Sequence, residues 1–101
     1  MNPKQLQQMA AQMQRQIAKI QEELGNETVE GKAGSYVTVT MNGHREVKGI
    51  TIAPEVIDPE DPDTLQDLIL SAINDASAKA QELSQKRMGP LTGGMNIPGL
   101  F

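Results

Sequence analysis

The sequence predicts an α+β protein with a long N-terminal helix, a three-stranded antiparallel sheet and a long second helix. A narrow apolar stripe with heptad spacing fills residues 3–24, and alternating apolar and polar residues fill much of 28–52. A broader apolar pattern of helical period follows in residues 63–88. Because 101 residues leave room for one domain, we expect a single domain over residues 1–88. A flexible Gly/Pro/Met tail over residues 89–101 is expected to follow it.

The first helix is predicted from about Pro3 to Leu24. Asn2 is a candidate N-cap, and Gly25-Asn26 suits a left-handed C-terminal cap. A stripe as narrow as this one is typical of a helix that docks against a single partner element, so we expect an interfacial helix and self-association. Spacings that alternate between four and three residues define the stripe: Leu6, Ala10, Met13, Ile17, Ile20 and Leu24.

A three-stranded meander is predicted next. The first strand covers residues 28–33, and the second covers residues 36–41 with Val37, Val39 and Met41 on one face. Asn42-Gly43 is the strongest hairpin signal in the chain. The returning strand carries apolar residues at 47, 50 and 52, and the break in their alternation indicates a bulge near Gly49.

The second helix follows a connector that is rich in proline and acidic residues. Asp63 and Gln66 resemble a capping box, and Gly89-Pro90 places the end of the helix near Met88. Its broad apolar face is expected to cover the sheet: Leu65, Leu68, Ile69, Ala72, Ile73, Ala76, Ala80 and Leu83. Asn74-Asp75, in the middle of this helix, is interpreted as an exposed polar pair or as a partner for the edge of the sheet.

The sequence gives almost no signal for an enzyme. The chain has no cysteine, and its only histidine, His44, lies beside the predicted hairpin turn, where an exposed turn residue is expected. The acidic connector lacks the residue order of a calcium loop, and the glycines form no phosphate-binding loop. No apolar run approaches the length of a membrane span. We therefore expect a cytoplasmic, non-enzymatic protein without cofactor, metal or small-molecule substrate.

The distribution of charge indicates anion binding by the helices. The net charge is −4, yet residues 1–24 carry +1, residues 25–63 carry −5 and residues 64–101 carry zero. On the first helix, Lys4, Arg15 and Lys19 form a stripe opposite the apolar stripe. The second helix adds Lys79, Lys86 and Arg87. Since the chain has only two aromatic residues for stacking on bases, these six cations predict contacts to the phosphates of duplex DNA.

Five segments in this order carry a resemblance to a known family: residues 7–14, 37–43, 50–55, 68–76 and 94–99. In this arrangement the chain resembles the YbaB/EbfC nucleoid-associated proteins of bacteria. The resemblance covers nearly the whole chain and implies a homodimer whose sheets join and whose long helices project like the arms of tweezers. It also implies binding of duplex DNA with limited sequence preference, a change in DNA conformation, and a location in the nucleoid. DNA contacts on the arms would include Arg15, Lys19, Lys86 and Arg87.

Two alternatives stay open at this point. The projecting helices or the tail would instead bind another protein if the acidic connector repels nucleic acid. The dimer seam is placed either at an edge of the sheet or on the apolar stripe of the first helix, and the two placements predict different sensitivities to mutation.

Overall fold

The structure is a computed structural model and describes residues 2–92. Its strands form one antiparallel sheet in the order β1-β2-β3, so the predicted α+β class and the predicted meander are confirmed. Residues 93–101, most of the predicted tail, lie outside the described residues. The elements are α1 (Pro3–Asn26), β1 (Thr28–Ala33), β2 (Val37–Asn42), β3 (Val47–Ile52), a short 3-10 helix (Pro54–Val56) and α2 (Pro62–Thr92).

The core lies between α2 and the first two strands. The alternation of β2 turns Val37, Val39 and Met41 toward α2, and each of these side chains is buried as predicted. Small side chains on α2 meet them, which lets helix and sheet approach closely. The buried residues are Ala33, Val37, Val39, Met41, Ala72, Ala76 and Ala80, with Val29, Ile52, Leu65, Leu68, Ile69 and Ile73 packed around them.

The closest approach between helix and sheet is at Gly31 in β1. A Cβ atom there would lie 2.2 Å from the Ala72 carbonyl oxygen and 2.2 Å from the Ala76 backbone nitrogen. Both atoms belong to the backbone of α2, so neither can rotate out of the way. Gly31 is therefore required because the helix backbone passes directly over the strand.

The molecule is elongated because α1 leaves the packed body. The radius of gyration is 19.2 Å, against about 13 Å for a compact domain of this length. Residues 2–16 of α1 are all exposed, and burial begins only at Ile17 and becomes complete at Leu24. The predicted apolar stripe thus packs against the body at its C-terminal end and is open to solvent along the rest of its length.

Both ends of α1 were predicted, and one of them differs in the structure. The expected N-cap is confirmed, because the Gln5 N–H donates to Asn2 Oδ1 at 2.8 Å. The expected left-handed cap at Gly25-Asn26 is wrong, because the helix runs through Asn26 and Glu27 continues in an extended conformation. The carbonyl groups at this end accept hydrogen bonds from the β2–β3 turn, so no left-handed residue is needed to satisfy them.

The β2–β3 hairpin is confirmed, with a loop that begins one residue later than the Asn-Gly signal indicates. Asn42 still pairs with Glu46 across the hairpin, and Arg45 takes the left-handed conformation with φ 64°. Gly43 is needed for space, because a Cβ atom there would lie 2.7 Å from Leu24 Cδ2. The predicted bulge is also confirmed, because Thr40 pairs with Gly49 while Met41 pairs with Val47.

Both ends of α2 differ from the prediction. The capping box at Asp63 is wrong, because the helix begins at Pro62 and Asp61 accepts from the Thr64 N–H at 3.3 Å. The expected end near Met88 is also wrong, since the helix continues to Thr92 with Pro90 inside it. A proline inside a helix removes one donor and crowds the carbonyl group four residues earlier, so the local sequence favours the earlier end that we predicted.

The contact at Gly31 gives a direct test of the packing of α2. Gly31→Ala is expected to lower the free energy of unfolding by roughly 3 kcal/mol, because overpacking against an immobile backbone lies at the upper end of such costs. Gly49→Ala is the matched control in β3, where a Cβ atom would meet nothing within 4 Å. Urea denaturation of both variants measures the difference, and equal stabilities would contradict this view of the packing.

Candidate nucleic-acid interface

The exposed part of α1 carries a positive face without any acidic residue. Between residues 2 and 21 the chain has three cations and no carboxylate side chain. Lys4, Arg15 and Lys19 lie on exposed positions of this helix, and within residues 2–92 none of them forms an ion pair. Arg15 and Lys19 stand one turn apart, about 6 Å along the axis. The three α1 cations thus lie along one exposed side of the helix, spread over about 22 Å from Lys4 to Lys19.

The cations of α2 are held by carboxylates of the same chain. Arg87 donates from Nη1 to Glu27 Oε1 at 2.5 Å and from Nη2 to Glu23 Oε2. It therefore connects α2 to the C-terminal end of α1, which we call the base of α1. Lys86 forms an exposed ion pair with Glu82 at 3.3 Å. Exposed pairs of this kind are weak and exchange readily, so Lys86 stays available to a phosphate, whereas Arg87 is committed to two partners.

Lys79 and Asp75 close one edge of the sheet. The Lys32 N–H, on the outer side of β1, donates to Asp75 Oδ2 at 2.9 Å, and Lys79 Nζ donates to the Glu30 carbonyl at 2.9 Å. The two side chains also pair with each other at 3.1 Å. The interpretation of Asp75 as a partner for the sheet edge is confirmed. Side chains of α2 thus occupy edge groups with which another strand would pair.

The opposite edge of the sheet, formed by β3, has an apolar surface that α2 does not cover. Ile50 lies opposite Val39, and Val47 lies opposite Met41, so their side chains share the face that carries the core. Although their partners are buried, Ile50 is 45% exposed and Val47 is 47% exposed. Within the described residues, this edge therefore combines an outer strand side that pairs with no other strand with uncovered apolar side chains.

A second apolar surface lies on the exposed part of α1. Leu6 is 52% exposed, Met9 is 56% exposed and Met13 is 37% exposed. This surface is continuous with the buried end of the stripe at Leu24. The sequence predicted a dimer seam either at a sheet edge or on the apolar stripe of α1, and both places expose apolar side chains in the single chain.

The base of α1 involves two residues whose role the sequence did not reveal. His44 Nε2 lies 2.7 Å from the Gln21 carbonyl oxygen, and the buried Asn42 side chain donates to the Gly25 carbonyl at 3.2 Å. The hydrogen bond from Asn42 also lowers the pKa of Glu46, with a smaller contribution from Lys48. The Asn-Gly signal marked this turn correctly, but nothing in the local pattern shows that the turn receives a helix end distant in the chain.

The described residues offer no other site with a clear chemistry. They include no group of three or more His, Asp or Glu side chains placed to hold a metal ion. A shallow open groove between β1 and α2 is lined by Val29 and Leu83 together with charged side chains of both signs. Neither described helix is long and apolar enough to span a membrane.

The pH dependence of stability tests the edge contact. The Lys32 backbone N–H, assisted by Lys79, holds the pKa of Asp75 below its ordinary value of 3.8. A carboxyl group with a lowered folded-state pKa stabilises the fold at neutral pH, and this contribution is lost as the pH falls through that pKa.

Asp75→Asn is therefore expected to lower the free energy of unfolding at pH 7, with a difference from wild type that shrinks below about pH 4. The control Asp67→Asn removes a carboxylate from the same helix at an exposed position. Urea denaturation between pH 7 and pH 3 measures both differences. A difference for Asp75→Asn that is independent of pH would contradict the proposed charge contribution.

Comparison with known proteins matches this architecture to one family. The model of the YbaB/EbfC DNA-binding family matches residues 1–95. A nucleoid-associated protein of Roseiflexus castenholzii is 70% identical over 99 residues, which cover 98% of this chain and 99% of the relative. A nucleoid-associated protein of Chloroflexus aurantiacus is 64% identical over 102 residues, covering all of both chains.

A solved structure shares the fold at low sequence identity. The crystal structure of an uncharacterized protein from Helicobacter pylori superposes with a TM-score of 0.71 at 23% identity, covering 94% of this chain and 97% of the other. This likeness concerns the fold alone, whereas the family match and the two relatives extend over almost the entire sequence. From them it follows that this chain belongs to the YbaB/EbfC DNA-binding family.

Proposed function

We propose that this protein is a non-enzymatic, nucleoid-associated homodimer that binds duplex DNA through its phosphates and alters DNA conformation. The observation that carries the proposal is the exposed, acid-free face of α1 with Lys4, Arg15 and Lys19. Membership of a DNA-binding family and the names of the relatives support it. They also support a location in the bacterial nucleoid.

The proposed DNA surface consists of direct contacts and supporting residues. Lys4, Arg15 and Lys19 on α1 contact phosphates, and Lys86 joins them by exchanging Glu82 for a phosphate oxygen. Lys79 and Arg87, predicted as DNA contacts from the sequence, support the surface instead, because each already bridges α2 to another element. Tyr36 is the only aromatic residue within the described part, so stacking on single-stranded bases is a poor route to affinity.

The proposed dimer seam is the β3 edge. An exposed strand edge beside uncovered apolar side chains favours pairing with the same edge of a second copy of the chain. A two-fold axis then places the same residues of both subunits in the interface. The β1 edge offers less to a partner, because Asp75 and Lys79 occupy its outward groups. Pairing at β3 would join two sheets and carry two copies of α1 away from one body. In this proposal residues 1–88 and the last turn of α2, to Thr92, form the domain, and the role of residues 93–101 as a tail stays a prediction.

A second candidate function rests on the apolar side of α1. The exposed Leu6, Met9 and Met13 form a surface that suits another protein, and the net charge of −4 disfavours general attraction to DNA. In this alternative the chain is a protein-interaction module, and its cations serve solubility. Binding to random-sequence DNA at moderate salt separates the two functions.

Charge removal on α1 tests the proposed DNA surface. Arg15→Gln combined with Lys19→Gln is expected to weaken binding to random-sequence duplex DNA roughly tenfold or more, because phosphate contacts are lost in both subunits. The slope of log affinity against log salt is expected to fall by about one for each lost contact. Fluorescence anisotropy across a salt series measures both quantities.

The matched control removes the same charge from the packed body and outside the proposed seam, as Lys32→Gln with Arg45→Gln. We expect this control to bind almost like wild type. Equal losses in the two double variants would contradict a DNA face on α1. An absence of binding by wild type at 50 mM salt would favour the protein-interaction module.

Matched substitutions on the two apolar surfaces test the dimer seam. Ile50→Glu is expected to give a monomer, because two like charges would meet across the two-fold axis at β3. Leu6→Glu places the same charge on the α1 stripe and is expected to leave the dimer intact. Light scattering at the same protein concentration measures the mass of each variant. A monomeric Leu6→Glu beside a dimeric Ile50→Glu would move the seam to α1.

A further inference from the structure

The base of α1 sits in a socket formed by the β2–β3 turn. We call residues 42–46 the turn socket. Three carbonyl groups in the last turns of α1 accept hydrogen bonds from it. The Gly43 N–H donates to the Leu24 carbonyl at 2.8 Å, and Asn42 Nδ2 donates to the Gly25 carbonyl at 3.2 Å. The third acceptor, the Gln21 carbonyl, lies 2.7 Å from His44 Nε2, which must carry the hydrogen because a carbonyl oxygen can only accept.

Asn42 ties the socket together with every hydrogen-bonding position of its side chain. Its Oδ1 accepts from the backbone N–H groups of His44 and Glu46, both at 3.0 Å. Its Nδ2 donates to Glu46 Oε1 at 2.8 Å in addition to the Gly25 carbonyl. An amide has two donor hydrogens and two acceptor lone pairs, so the buried side chain is fully used. Asn42 therefore has no other low-cost orientation.

The helix end and the turn socket are also closely packed at two glycines. A Cβ atom added at Gly25 would lie 3.2 Å from His44 Cδ2, and one added at Gly43 would lie 2.7 Å from Leu24 Cδ2. Arg87 holds the same end of α1 through Glu23 and Glu27. The helix end is thus held both by the turn socket and by α2.

Among the described residues, every contact that sets the direction of α1 lies near its C-terminal end. Residues 2–16 are all exposed, and Lys4 lies about 30 Å along the axis from Leu24. A helix held only at its base acts as a lever, so a rotation of about 10° at the socket moves Lys4 by about 5 Å. That displacement approaches the distance between neighbouring turns of the helix, and it would misplace cations that must meet phosphates together.

We propose that His44 and Asn42 are positioning residues that fix the direction of α1. Through that direction they set the placement of the cations on the arm, by which we mean residues 3–19 of α1. The link to DNA rests on the proposed function, whereas the fixing of α1 rests on the socket alone. His44 is the sharper target, because its ring is exposed and its removal leaves the buried Asn42 network in place.

The distance between the arm and the sheet tests the first part. The chain has no cysteine, so Gln7→Cys with Ser35→Cys places two spin labels, one near the arm tip and one in the β1–β2 turn. Dilution with unlabelled protein limits each dimer to one labelled subunit. His44→Ala is expected to broaden the distance distribution and His44→Gln to restore it, because glutamine also offers an N–H donor. The control Arg45→Lys, in the same turn, is expected to match wild type.

Anisotropy with duplex DNA tests the second part in unlabelled protein. His44→Ala is expected to bind roughly 2- to 10-fold more weakly, the effect of losing one hydrogen bond that stabilises the docked arm. His44→Gln and Arg45→Lys are expected to bind like wild type, with an unchanged dimer mass in every case.

Each outcome decides one part of the proposal. An unchanged distance distribution in His44→Ala would overturn the role of the socket. A broadened distribution with wild-type affinity would overturn the link between arm direction and DNA, and would leave the DNA surface itself standing. If wild type binds no DNA, the proposed function and the link both fail, and the distance measurement still decides whether the socket fixes α1.

Discussion

The close approach of the α2 backbone to β1 at Gly31 is the constraint on which the remaining structure depends. With α2 centred over β1, its alanines cover β1 and β2, and the helix leaves Val47 and Ile50 of β3 exposed. The same placement brings Asp75 and Lys79 to the outer side of β1, where they reach backbone groups of the edge. The packing of α2 against Gly31 therefore places side chains on the β1 edge of the sheet. It leaves Val47 and Ile50 at the β3 edge uncovered.

The direction of α1 follows from the other end of the same sheet. The β2–β3 turn supplies the donors that the last carbonyl groups of α1 require, and the C-terminal part of α2 supplies Arg87. These contacts stop near Ile17, so the rest of the helix extends into solvent. The turns of α1 form their hydrogen bonds within the helix, so the contacts at its base are the ones that set its direction.

Sequence periodicity predicted what depends on side-chain burial along one element. The alternation of Val37, Val39 and Met41 and the helical spacing of Ala72, Ala76 and Ala80 identified the core correctly. It did not predict contacts between distant backbones. Nothing near Gly31 indicates that a helix passes over it, and nothing near His44 indicates that the ring meets a carbonyl 23 residues earlier. The C-terminal end of α1 and both ends of α2 were misplaced. The β2–β3 turn supplies distant donors to the end of α1, Asp61 accepts a hydrogen bond at the start of α2, and α2 continues past Gly89-Pro90.

The distance of the outer part of α1 from the packed body also explains how a chain of net negative charge can attract an anionic ligand. The five excess negative charges of residues 25–63 belong to the sheet and its connector, whereas the outer part of α1 carries only positive charge. Screening at physiological ionic strength limits interactions between exposed charges to about 8 Å. Lys4 and Arg15 lie roughly 30 and 14 Å along α1 from Leu24, beyond that range. A ligand on the outer part of α1 therefore meets a local charge opposite in sign to the net charge. The length of α1 separates its cations from the acidic residues of the body, and it also extends them into solvent.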